Sequence, residues 1–127
     1  MAHFSRLYTI VIDAPRPDHA AAVAFWSDAA GADLPVMAKY PEFNGAKLPN
    51  HDMLLLVQQL GDGPARIHLD FHTDDLDAEV ARLEALGATS LERAENWQVM
   101  RDPAGLNFCV VLDRPGTLSE ANATRWD

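Results

Sequence analysis

The pattern of apolar and polar positions runs through the same order twice. Leu7 to Ile12 is a compact apolar run rich in β-formers, and the prolines of Asp13-Ala14-Pro15-Arg16-Pro17 end it, which predicts a strand. From Asp18 the chain turns Ala-rich, with Val23, Phe25 and Trp26 among good helix formers and Gly31 at the expected C-terminal cap. Arg66 to Phe71 then alternates like a strand, and Thr73-Asp74-Asp75 brings N-cap chemistry and a negative first turn. In the helix that follows, Leu76, Val80, Leu83 and Leu86 form one stripe expected to face a core, and Gly87 ends it.

Each helix is followed by material that reads as short strands and turns. Pro41, Asn44-Gly45 and Pro49 punctuate the first copy and Asp102-Pro103-Ala104-Gly105 the second. The copies close on the apolar strands Met53 to Leu60 and Leu106 to Leu112, with Gly61-Asp62-Gly63-Pro64 between them. A duplicated β-α-β-β-β order predicts an α+β fold, because each unit alone would leave an apolar sheet face uncovered. The expected organisation is a single domain over residues 1–127, with module one at about 6–60 and module two at about 65–113. The tail, 114–127, loses periodicity and is expected to be loose unless Trp126 docks it.

The length of 127 residues leaves no room for a separate catalytic domain. Ten Lys and Arg stand against 19 Asp and Glu, a formal charge of −9 that repels phosphate backbones and acidic lipids. Neither nucleic acid nor membrane is an expected partner. The single cysteine excludes an internal disulfide, and no signal-peptide pattern opens the sequence, so the cytoplasm is the expected compartment. No Gly-rich phosphate loop, nucleophile elbow or paired-cysteine site is present.

Several short motifs recur in a specific order: Ala24-Phe25-Trp26 in the first helix, His68-Leu69-Asp70, Asp74-Asp75-Leu76, and Asp102-Pro103-Ala104-Gly105 with Phe108-Cys109. Over about residues 6–113 they resemble the glyoxalase-like branch of the vicinal oxygen chelate superfamily, which includes glyoxalases, bleomycin-resistance proteins and dioxygenases. The resemblance implies two βαβββ modules forming a cupped mixed sheet around a small-molecule pocket, and a homodimer. It also implies up to four metal ligands, one from the first and one from the last strand of each module. The first-strand ligand lies seven residues before the acidic residue that opens the helix, which gives His68 from Asp75 and Thr9 from the slot held by Arg16. The last-strand positions are Cys109, four past Gly105, and Gln58. Of Thr9, Gln58, His68 and Cys109 only His68 is a good donor, with Cys109 read as a small buried hydrophobe, so no metal or other cofactor is expected. A divalent metal at His68, or a relocated site using Asp70 or His72, is the alternative.

Alternation along the second-module strand puts His68, Asp70 and His72 on one face, with Leu69 and Phe71 on the face that should take the helix. The polar row is a candidate acid–base or anchoring set, with His68 and Asp70 the catalytic candidates; a satisfied polar lining is the plainer alternative. The same alternation groups Gln58 with Leu54 and Leu56, Thr9 with Leu7 and Val11, and Cys109 with Asn107 and Val111. Trp97 is placed to roof the pocket, or else packs in the core. A mostly apolar lining with a few polar groups suits a small organic molecule. The sequence thus points to a small-molecule-binding protein with a degenerate metal site, sequestering a toxin or metabolite. The alternative is a lyase or isomerase-type enzyme using His68, with weak or no metal.

Overall fold

The computed structural model describes residues 2–127. In chain order they form β1 (His3–Pro15), a 3-10 turn (Arg16–Asp18), α1 (His19–Ala30), β2 (Phe43–Lys47), β3 (Leu54–Leu60) and β4 (Arg66–Thr73). There follow α2 (Leu76–Ala85), β5 (Thr89–Arg93), β6 (Trp97–Arg101), β7 (Asn107–Leu112) and β8 (Thr124–Trp126). Among the described residues the eight strands make one mixed sheet, ordered β2-β3-β1-β4-β7-β6-β5 with β8 on β1, which is the α+β architecture expected. No described helix is long and apolar enough to cross a membrane. Two compact units divide the chain, one Thr9–His68 and the other the segment up to Tyr8 with Leu69–Asp127, so β1 and β4 each run unbroken through the division.

In the unit Thr9–His68, β1 pairs in parallel with β3, from Thr9 opposite Leu54 to Pro15 opposite Leu60, and β2 pairs antiparallel with β3. Ile10, Ile12, Ala14, Leu55 and Val57 therefore share the face that packs against Ala22, Val23 and Trp26 of α1. The strand runs three residues past its expected end because Pro15 occupies its last position, where a missing N–H costs little. Gly31 closes α1 in the left-handed region, φ 68°, where a side chain would be strained.

Two expectations fail in this unit. The first post-helix strand shrinks to a single bridge between Val36 and Asn44. Asn44-Gly45 is not a turn but the interior of β2, where Asn44 Nδ2 donates to the Leu34 carbonyl at 2.9 Å. A Cβ on Gly45 would overlap Leu56 Cδ2 and lie 2.8 Å from the Leu55 carbonyl oxygen, so this glycine serves close strand approach.

The other unit shows the full β-α-β-β-β order, with β7 parallel to β4 and antiparallel to β6, and β6 antiparallel to β5. Asp75 is the N-cap of α2, its side chain accepting from the Ala78 N–H at 3.0 Å. Leu76, Val80 and Leu83 pack with Met100 and Val110 as the stripe requires. Leu86 does not: it is the C-cap, 68% exposed, and lies about 80° around the helix from Leu76. Leu69 is also 39% exposed, whereas Phe71 joins the helix-facing cluster as expected.

The surprise of α2 is Glu79, a fully buried carboxylate. It accepts from Arg82 Nε at 2.7 Å and Nη2 at 2.8 Å, and lies 2.8 Å from His3 Nε2. Arg82 in turn stacks on the Trp126 ring, centroid distance 3.9 Å, and Trp126 Nε1 donates to Ser5 Oγ at 2.9 Å. Through this chain of contacts Trp126 docks the tail, with β8 antiparallel to the start of β1. Burial alone would raise the Glu79 pKa, but hydrogen bonds from Arg82, His3 and Ser5 and the charge of Arg82 outweigh it and hold the group below its ordinary 4.5.

Gly45→Ala should lower stability by about 1–3 kcal/mol through overpacking, read as a fall in melting temperature on the order of 4–11 °C; an unchanged melt would mean β2 and β3 are not this close. Because the folded value of Glu79 is lowered, its ionisation contributes stability that is full above about 4.5 and is lost as pH falls through the folded value. Urea unfolding from pH 7 down to pH 3 should therefore show Glu79→Gln and wild type converging at the acid end. A constant gap would refute the coupling.

Candidate functional site

In both units the sheet has a face turned from its helix. In Thr9–His68 that face carries Thr9, Val11 and Asp13 of β1 and, opposite them in register, Leu54, Leu56 and Gln58 of β3. Asp13 is almost fully buried, and its Oδ2 lies 2.6 Å from His68 Nδ1. An ionised carboxylate only accepts, so Nδ1 carries the proton, and Nε2 is the nitrogen through which the ring acts on anything else. An imidazole so held can accept a proton or bind a metal ion.

Along β4, Asp70 follows two residues after His68 on the same face, and Cys109 of β7 stands opposite Asp70 in the parallel register. One donor atom each from His68, Asp70 and Cys109 lie within 4.8 Å of one another. His72, the third member of the row, takes another role: its Nδ1 is 2.8 Å from Asp113 Oδ1, and its ring packs edge-on against Tyr8 at 5.0 Å.

Of the remaining sequence candidates, Trp97 pairs with Val111 at the start of β6 and is 40% exposed, so it is not a core residue. Asn107 is exposed and accepts from Arg101 Nε at 3.2 Å, a cross-strand contact. Thr9 is fully buried beside Val11, and Gln58 pairs with Asp13.

The position of Thr9 needs correction as the module-one counterpart of His68. The N-cap of α1 is Asp18, two residues beyond the slot held by Arg16, because the 3-10 turn intervenes. Seven residues before Asp18 is Val11, as His68 is seven before Asp75. The registers agree, since Asp13 pairs with Gln58 as Asp70 pairs with Cys109. Module one thus offers valine where module two has histidine, and the two aspartates are each other's counterparts. Sequence reasoning missed Asp13, reading it as part of a strand-ending loop. An N-cap count from Asp18 lands on Val11, and alternation two residues on would then have marked Asp13 as the counterpart of Asp70.

The family model described as glyoxalase-like domain matches residues 9–111. No curated protein matches the sequence. Among solved structures, a variant of methylmalonyl-CoA epimerase from Streptomyces coelicolor, in complex with 2-nitronate-propionyl-CoA, is 17% identical, covering 87% of this chain and 98% of its own, with a TM-score of 0.59. Methylmalonyl-CoA epimerase from Mycobacterium tuberculosis is 19% identical over 86% of this chain and 88% of its own, TM-score 0.55. A hypothetical protein of Bacillus halodurans C-125 is 12% identical over 91% and 99%, TM-score 0.63. At these identities the likeness is one of fold.

A short Nδ1–H to carboxylate hydrogen bond should give a downfield proton resonance in NMR spectra of the wild type. Asp13→Asn and His68→Ala should each remove it, while Gln58→Ala should leave it in place. Its persistence in Asp13→Asn would show that another group holds the ring.

Proposed function

Because the chain belongs to the glyoxalase-like domain family, its residues 9–111 matching that family's model, we propose that it binds a small organic molecule by a polar head at His68. It does so as a cytoplasmic homodimer that sequesters a toxin or metabolite. The observation that carries this reading is the buried Asp13–His68 contact of 2.6 Å. It fixes one polar anchor beside the apolar Val11 and Leu56, the mix of few oriented polar groups and apolar surface that small ligands use. Valine at the module-one counterpart of His68 argues against the four-ligand chelate of metal-dependent relatives.

A second reading draws on the same contact. A carboxylate behind an imidazole also suits a general base, and the epimerases that share the fold are solved with acyl-CoA ligands. On this reading the chain is an isomerase-type enzyme acting on a carbon acid.

Denaturing extraction of freshly purified protein, followed by mass spectrometry, should release an organic molecule that is absent from His68→Ala. That variant should melt lower than wild type because it strands the buried Asp13 carboxylate, so the extraction is made well below its melting temperature and repeated with the double variant Asp13→Asn/His68→Ala, which leaves no buried charge unpaired. Recovery of the same molecule from His68→Ala would sink the anchor role. Incubation with methylmalonyl-CoA in heavy water separates the two readings: deuterium uptake by wild type but not by His68→Ala favours the enzyme. A sedimentation mass of one chain at high concentration would remove the dimer.

A further inference from the structure

We propose that Asn44-Gly45 is a site of covalent self-modification, blocked while β2 stays in the sheet and released when β2 leaves it, so that a chain which opens there is converted to a form that cannot close again. Asn44 is the one asparagine in the sequence that a glycine follows. Glycine has no Cβ to shield its own backbone nitrogen from a reaction with the preceding side chain. That nitrogen, giving up its proton, adds to Asn44 Cγ; the Cγ–Nδ2 bond breaks, the amide nitrogen leaves as ammonia, and a five-membered succinimide closes. Water then opens the ring at either carbonyl, leaving aspartate or, with the main chain now running through Cγ, isoaspartate. Water is the only co-reactant.

The fold holds both reacting nitrogens. The Gly45 N–H, which must become the nucleophile, donates to the Pro35 carbonyl at 3.0 Å. Asn44 Nδ2, which must leave, donates to the Leu34 carbonyl at 2.9 Å, and the side chain is buried. Pairing with β3, Asn44 opposite Val57 and Gly45 opposite Leu56, fixes the backbone between them. The lock nevertheless sits at an edge of the sheet, where β2 has β3 on one side and only the Val36 bridge on the other. Strands at an edge open locally at less cost than the whole domain unfolds.

Neither product fits back. Aspartate at position 44 sets a buried carboxylate against the Leu34 carbonyl oxygen, two acceptors with no proton between them. Isoaspartate lengthens the main chain by a methylene beside Gly45, the position at which even a Cβ would overlap Leu56 and crowd the Leu55 carbonyl. Conversion therefore drains the open form and makes its loss irreversible. The damage also reaches Leu56, which shares the face of Asp13, so conversion should release the bound molecule; this last step rests on the binding reading above.

The chain is kept at mildly alkaline pH, folded in buffer and unfolded in urea, and the tryptic peptide 40–47 is followed by mass spectrometry, with isoaspartate scored by an isoaspartyl methyltransferase. The unfolded chain should convert at position 44 on the order of 100-fold faster than the folded one, as expected when only a rarely populated open form reacts. In urea Gly45→Ala should convert several-fold more slowly, a comparison in which no variant has to fold. Converted chain carries one more negative charge; separated by anion exchange after removal of urea, it should melt below unreacted chain treated alike or fail to refold, and Asn44→Asp should do the same. Equal rates in the folded and unfolded chain, an unslowed Gly45→Ala, or a converted chain that melts with the unreacted one would each overturn the trap. A low-melting converted chain together with unreacted protein that releases no organic molecule would uphold the modification site and sink the binding reading. A converted chain that still retains the molecule would refute the reach to the anchor.

Discussion

Strand register is the constraint on which everything at the site depends. Side chains alternate across a strand, so a one-residue slip of β1 against β3 would trade Asp13 for Ala14 on the face turned from the helix. The slip is opposed from the other side. Ile10, Ile12 and Ala14 are committed to the α1 cluster, and Phe71 and Val110 to the α2 cluster, so moving the polar residues would also expose the apolar ones. The hydrophobic packing of the two helices thus sets where the donors of the opposite face stand.

The duplicated plan explains how that face became asymmetric. Asp13 and Asp70 occupy corresponding places, each opposite the last strand of its module, yet their tasks differ. Asp13 lies against Nδ1 of His68, while Asp70 stands beside Cys109. With valine in module one and histidine in module two, one aspartate pairs with the single imidazole and the other lies opposite Cys109. Charges this deeply placed persist only when partnered, because removing a carboxylate from water costs several kcal/mol, on the order that a good ion pair restores.

Far from the site, Glu79 solves a different problem. The first residues of β1 and the three residues of β8 belong to neither apolar cluster. Glu79, Arg82, His3, Ser5 and Trp126 tie both segments to α2 through ion pairs, a ring stack and a side-chain hydrogen bond. The apolar stripe of α2 gave no hint of this, since Glu79 lies between stripe positions and reads as a solvated charge.

The sequence by itself determined what repeats locally. Periods of two and near four, Gly31 and Asp75 at helix ends, and the doubled β-α-β order identified both helices, the first and last strands of each module and the family resemblance. It also marked His68 and Cys109, each at a fixed distance from a cap or turn, and Asp70 by its alternation with His68 along one strand face. Only the tertiary structure decided which of them meet. Asn44-Gly45 is a turn signal that close strand packing overrides, Leu86 is a stripe residue stranded past the helix end, and Asp13 became His68's partner across 55 positions of sequence. Local patterns report the backbone conformation a segment prefers. Which atoms then face one another depends on cross-strand register and on where a helix begins, and both are set by burial summed over distant residues.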